Sequence, residues 1–319
     1  MPVHTAWKLR APFAALLVAA ASGALASPFA YVSNEGSGTI SIIDVADDKV
    51  VAEIAGAGKP RGMAVSPDGR TVYVSDQAGD RLIVFDAATK RATGSVALGR
   101  SPEGIGMSAD GRWLAIAAEE SNEVAFVDAR TATLAFSVRV SGRNPEHAVF
   151  APDGRRVFVS AEEGKSVDVI DVAARRVVAE IAVGMRPRGI GFSPDGTRAW
   201  VAAELANEVH VIDAVLLKVV KVIPVGLRSN GIAIHPDATR VYVSNGGDHT
   251  ISVIDTATLA VVATIPVGQR PWNMALTPDG AKLYVACGRS GTVSVIDTRR
   301  QERIADVAVG KLPWGVSIR

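Results

Sequence analysis

An aspartate that closes an apolar run returns at Asp44, Asp86, Asp128, Asp171, Asp213, Asp255 and Asp297, at intervals of 42 or 43 residues. Asp68, Asp110, Asp153, Asp195, Asp237 and Asp279 keep the same period. So do Pro60, Pro102, Pro145, Pro187, Pro271 and Pro313, with Ser229 standing where the proline would fall. A period of about 40–45 residues carrying several short strands is the mark of propeller blades. Within one unit the strands are legible. Gly62–Ser66 is short and apolar, Pro67-Asp68-Gly69 is a tight turn, and Thr71–Ser75, Arg81–Phe85 and Arg91–Leu98 follow in order. A turn signal about every ten residues excludes helical repeats of similar length. Little aromatic mass is present: 5% of residues against 48% hydrophobic overall, so a core must come from small and β-branched side chains.

The ends are offset within the repeat. Residues 29–33 read as a second-type strand and residues 314–318 as a first-type strand, so the first blade needs its innermost strand from the C-terminus. The fold class expected is all-β: a seven-bladed propeller of four-stranded antiparallel blades over residues 27–319, closed by that shared sheet. A linear β-solenoid would want capping repeats, and none are present.

Ahead of the repeat, Lys8 and Arg10 precede an apolar run over residues 11–21, which ends in Ala24-Leu25-Ala26. That is the pattern of a signal peptide cleaved after Ala26, too short to span a membrane comfortably. The expected location is the periplasm, with no membrane span after cleavage. Cleavage leaves 32 basic against 33 acidic residues, a balance that argues against broad electrostatic binding of nucleic acid. A single cysteine, Cys287, precludes an internal disulfide.

Tyr31-Val32-Ser33-Asn34, Tyr73-Val74-Ser75-Asp76 and Tyr242-Val243-Ser244-Asn245 resemble the YVTN signature, and Val267-Gly268-Gln269-Arg270-Pro271 and Ile254-Asp255-Thr256-Ala257-Thr258 match the rest of that repeat. With a signal peptide and no second domain, the chain resembles the exported YVTN-type group associated with pyrroloquinoline-quinone (PQQ)-dependent alcohol catabolism. That resemblance implies a helper role and a periplasmic protein partner or small ligand, such as one of a quinoprotein dehydrogenase system. It implies no bound cofactor: the tryptophan-docked blades that hold the quinone are lacking, and no CxxCH exists for covalent haem.

The residue after each proline is expected to ring the channel mouth. In blade order these are Trp314, Arg61, Glu103, Glu146, Arg188, Asn230 and Trp272. They diverge while the flanking Pro, Gly and Asp repeat, which marks them as the candidate ligand-binding set, together with His147. Glu119, Glu120, Glu162, Glu163 and Glu204 join Glu103 and Glu146 on one arc, with Trp272, Trp314 and Arg289 expected opposite. Such a face suits a cationic group, a metal ion or a basic protein patch. Arg61 and Arg188 could also do no more than pair with the glutamates, for about 0–1 kcal/mol per exposed pair. His210 and His235 read as scaffold, and no nucleophile elbow, phosphate loop or HExxH occurs. The leading expectation is a non-catalytic binding propeller accessory to PQQ-dependent alcohol catabolism. The alternative is a hydrolase of the propeller lactonase type using Glu103, Glu146 and His147 as acid and base or as holders of a metal-activated water.

Overall fold

A computed structural model of the chain describes Met1 and residues 28–319; the expected signal peptide lies outside the described residues. The seven sheets each contain four strands. Blade 2 illustrates the unit, running from the channel outward through Pro60–Val65, Thr71–Asp76, Arg81–Asp86 and Arg91–Ala97, each antiparallel to the last. Blade 1 takes its innermost strand, Pro313–Ile318, from the C-terminus, where it pairs antiparallel with Phe29–Asn34 through Ala30↔Ile318 and Val32↔Val316. The ring closes as the offset ends required. The closure is reinforced on the blade 7 side, where Lys282 Nζ reaches Asp48 Oδ2 at 2.7 Å and the Val45 carbonyl at 2.9 Å.

The repeated residues are scaffold. Asp68 Oδ1 accepts hydrogen bonds from the Ser66 hydroxyl (2.6 Å) and the Arg70 amide (3.1 Å), while Gly69 turns through φ 72°. The closing aspartates cap the next hairpin: Asp86 Oδ1 accepts from the Thr89 amide at 2.7 Å. These Asx-type bonds let the turn form without a long side chain. Between blades the middle strands bury Val, Ile and Ala against one another. Tyr31, Ile40 and Ile42 of blade 1 meet Val65, Val72 and Val74 of blade 2, for example. Dispersion and apolar burial in these interlayers hold the ring together.

Two local devices shape the channel mouth. The innermost strand loses register just after the proline: in blade 2 Pro60 pairs with Asp76, but the next pair is Met63 with Val74. A bulge of this kind re-aims a side chain, here the variable residue Arg61. Neighbouring innermost strands also approach so closely that a Cβ on Gly62 would stand 2.5 Å from the Glu103 carbonyl oxygen. Blade 4 puts His147 at this glycine register, so its ring lies over the channel instead.

Candidate functional site

The serine of the second strand anchors the variable backbone of the following blade. The Ser33 hydroxyl donates to the Arg61 carbonyl at 2.7 Å, Ser75 to Glu103 at 2.6 Å and Ser244 to Trp272 at 2.6 Å. The strand-to-strand loop of each blade then supplies the wall. Its first residue is Glu35, Gln77, Glu119, Glu162 or Glu204 in blades 1 to 5, but Gly246 or Gly288 in blades 6 and 7.

Arg61, Glu103, Glu146 and Arg188 come together as neighbours: the glutamates are buried, Glu103 1% and Glu146 3% exposed, and the arginines half-buried. The glutamates are not solvated loop residues. Arg188 Nη1 lies 2.5 Å from Glu146 Oε1 and also contacts Glu162, while its Nε donates to Glu204 Oε2 at 3.0 Å. Arg61 Nη1 is 3.2 Å from Glu103 Oε2, and its Nε is 3.3 Å from Glu35 Oε2. The Gln77 amide donates to Glu103 Oε1. Neither Arg61 Nε nor Glu103 Oε2 has an aligned hydrogen-bond partner, so the first keeps an unused N–H donor and the second an oxygen that can carry a proton.

The charge states diverge. Burial, and next the charge of Glu146, push Glu103 up to about 9. Burial also works to raise Glu146, but Arg188, His147 and Arg61 outweigh it and hold that carboxyl below its ordinary value. Burial keeps His147 below the usual imidazole value, with Glu146 opposing and Arg188 assisting. Near neutral pH the site therefore holds a protonated Glu103, an ionised Glu146 and a neutral His147. Two carboxyl groups pushed apart in this way divide into an acid and a base.

The His147 ring stacks on Trp314 at 5.6 Å between centroids and 12° between planes, and its Nδ1 is buried without a partner. Both border a cavity of about 170 Å³ whose wall includes Asn273 and the innermost-strand glycines Gly62, Gly104 and Gly189. The expected division into an acidic arc and an aromatic arc is thus corrected. Trp314 leans across the channel to His147, with the Arg61 guanidinium 5.8 Å from its centre. Trp272 turns to Arg270, 5.9 Å away. Asn230 is buried, and in ring order it stands between Arg188 and Trp272. Glu120 and Glu163 are exposed and paired with Arg100 and Arg143, outside the site. His210 and His235 serve the scaffold, the former accepting the Gly184 amide at 3.0 Å.

Sequence reasoning passed over Glu35, Gln77, Arg186, Arg228 and Arg270. Aligning the repeats on the loop's first residue and on the residue before the proline would have found them. Arg186, Arg228 and Arg270 hold the latter register with φ of 55–58°, and their carbonyls accept the amides of Glu204, Gly246 and Gly288. Among the described residues, Glu103, Glu119 and Glu146 form the one acidic group whose oxygens all lie within 4.8 Å of one another. A cation could be held at that spacing, but the guanidiniums of Arg61 and Arg188 already serve Glu103 and Glu146 as counter-charges.

A closed seven-bladed ring with a buried pair of carboxyl groups at its channel mouth defines the class. Residues 26–140 and 171–304 match the model of the lactonase, 7-bladed beta-propeller family. The chain belongs to that family. Among solved structures it is similar to the hydrazine synthase of Kuenenia stuttgartiensis, at 25% identity over 84% of this chain and 92% of that one, with a TM-score of 0.77. It is also similar to a proposed 6-phosphogluconolactonase from Bacteroides uniformis (21% identity, 92% and 100% covered, TM-score 0.78). The dihydro-heme d1 dehydrogenase NirN has the same fold (18% identity, 91% and 74% covered, TM-score 0.67). No curated protein matches the chain in sequence. The family match overturns the leading expectation of a non-catalytic propeller accessory to PQQ-dependent alcohol catabolism. That expectation rested on overall architecture, and one propeller architecture hosts many activities.

Proposed function

We propose that the chain hydrolyses a lactone at the channel mouth, with Glu146 as general base and Glu103 as general acid. The observation that carries this reading is the buried pair itself: two neighbouring carboxyl groups, one held protonated and the other ionised, flanked by guanidiniums. Glu146 takes a proton from water as the water oxygen bonds to the lactone carbonyl carbon. The ring C–O bond then breaks, and Glu103 gives its proton to the departing alkoxide oxygen. Arg61, whose Nε lacks an aligned partner, faces the negative charge that develops on the carbonyl oxygen. Proton exchange from Glu146 to Glu103 restores the pair, and one water has been added to give a hydroxy acid. His147, neutral and fixed against Trp314, offers Nδ1 to position the ester. Family membership supports the substrate class, and the basic–apolar–small pattern of residues 1–26 supports an exported enzyme acting in the periplasm.

The test is titration of acid release from five- and six-membered lactones by purified protein, corrected for spontaneous hydrolysis. Acceleration should be present from mildly acidic pH and fall as Glu103 deprotonates near 9. No acceleration over the blank for any ring size, or an undiminished rate in Glu146→Gln, would sink the assignment.

A further inference from the structure

The Glu register of the channel rim is broken in two adjacent blades, and the gap is basic. Gly246 and Gly288 stand where blades 1, 3, 4 and 5 place a glutamate, and beside them lies a cavity of about 630 Å³. Its wall carries Arg228, Arg270, Arg289, His249, Trp272 and Leu312. Glu204 is the carboxylate that Arg228 and Arg270 reach, and it is shared four ways. Arg270 Nη2 is 2.9 Å and Arg228 Nη1 3.6 Å from its Oε1, while Arg188 Nε (3.0 Å) and Arg186 Nε (3.4 Å) approach Oε2. Among the described residues Arg289 meets no carboxylate within ion-pair distance. Asp248, on the blade 6 loop that Gly246 opens, is turned to the Leu227 amide at 2.6 Å. His249 Nδ1 accepts the Arg270 amide at 3.2 Å, which leaves its ring proton on Nε2 as a further donor.

We infer that blades 6 and 7 form a binding pocket for a compact oxyanion, phosphate or carboxylate, carried by a ligand whose apolar part rests on Trp272 and Leu312. Guanidiniums bind both groups with paired N–H donors, and a partly buried arginine cluster short of counter-charge gains most from such a ligand. Arg270 is suited to this, being only 17% exposed and lying beside the Trp272 ring. Gly246 is what makes room. A Cβ on Gly246 would stand 2.9 Å from Arg270 Nη1, so a glutamate there would place its carboxylate where the anion is to sit. Gly246 is therefore a specificity-determining position by virtue of what it omits. The pocket stands apart from the acid–base pair and does not depend on the hydrolase reading.

Calorimetric titration with inorganic phosphate, and separately with acetate, at fixed ionic strength tests the pocket. Tryptophan fluorescence should respond in parallel through Trp272. Saturable binding of either ion is expected, at least about tenfold weaker in Arg289→Gln and in Gly246→Glu, since each removes or neutralises a charged donor. Phosphate preferred over acetate identifies a dianion site, and the reverse a carboxylate site. Gly246→Glu should fold, because Gly246 lacks a positive φ and the atom it would meet is the movable end of an arginine. Arg289→Gln changes an exposed side chain and covers the case in which it does not fold. No saturable heat with either ion, or equal affinity in Arg289→Gln and the unmodified chain, would overturn the pocket.

Discussion

Blades 2 to 5 and blades 6 and 7 present the same register to the channel and reach opposite results. In the first region an acidic side chain, or in blade 2 the Gln77 amide, opens each loop and partners the charged groups beside it, so Arg188 ends almost buried among Glu146, Glu162 and Glu204. In the second, glycine opens the loop, and Arg228, Arg270 and Arg289 border a cavity. The difference teaches that backbone geometry fixes where a rim residue stands, while one substitution per blade decides whether the rim becomes a sealed ionic network or a receptive surface. Burying charge is costly unless it is paired, which is why the sealed half sorts its carboxyl groups into protonated and ionised members.

The largest effect should come from removing the base of the sealed half. Glu146→Gln keeps shape and leaves Arg188 two further carboxylates, so the fold should survive while lactone hydrolysis falls by about 10²–10⁴-fold, the usual worth of a general base. Initial rates against circular dichroism on the same sample check both parts. Equal rates would mean that the sealed half is structural and the comparison with blades 6 and 7 concerns stability alone.

Next in size is the contact that ties the sealed half to blade 1. Trp314→Ala removes the ring stacked on His147 and enlarges the small cavity beside it. Loss of a buried aromatic side chain costs roughly 3–5 kcal/mol, which urea unfolding would register as an earlier midpoint. A loss below about 1 kcal/mol would mean that Trp314 faces water rather than a packed partner.

This contact also marks the boundary of what the sequence discloses. The ring, its closure and the variable position were legible because Asp, Pro and Gly recur at one spacing and the ends are offset within it. The bulge after each proline then carries Arg61, Glu103, Glu146 and Arg188 to a common mouth. Contacts across the ring were not legible. Nothing in the spacing tells that Trp314 of blade 1 would lie on His147 of blade 4, because that depends on how wide the channel is left by glycines in the innermost strands. Charge state was hidden for a related reason. Glutamates on loops read as solvated, and only the packed geometry makes Glu103 a buried acid. Arg270 escaped because it precedes the proline whereas the variable position follows it, and Glu35 because its blade carries Trp314 at that variable position and so falls outside the run of glutamates.

A smaller, pH-dependent effect sharpens the electrostatic half of the comparison. Glu103 is an acid whose folded-state value, about 9, lies above its ordinary 4.5. The folded chain therefore holds a proton that the unfolded chain gives up. Its stabilising contribution is complete below about 4.5 and is lost progressively as pH rises toward 9. Glu103→Gln removes that dependence, so its thermal midpoint should match the unmodified chain at low pH and exceed it at pH 8–9. A constant difference at all pH values would show that Glu103 is ionised in the fold.

The smallest effect belongs to the ion pairs that lie just outside the sealed half. Arg143 Nη2 and Glu163 Oε2 are 2.6 Å apart, closer than Arg61 and Glu103, yet the two side chains are 76% and 49% exposed. Short distance alone confers little where water competes and two long side chains must be held still. Arg143→Ala should therefore change unfolding free energy by less than about 1 kcal/mol and leave hydrolysis untouched. Molar salt should shrink even that difference, because the screening length falls to about 3 Å at 1 M ionic strength. A larger or salt-resistant loss would mean that the arc of glutamates acts as one network from the rim inward, and that burial is not what separates Glu103 from its exposed neighbours.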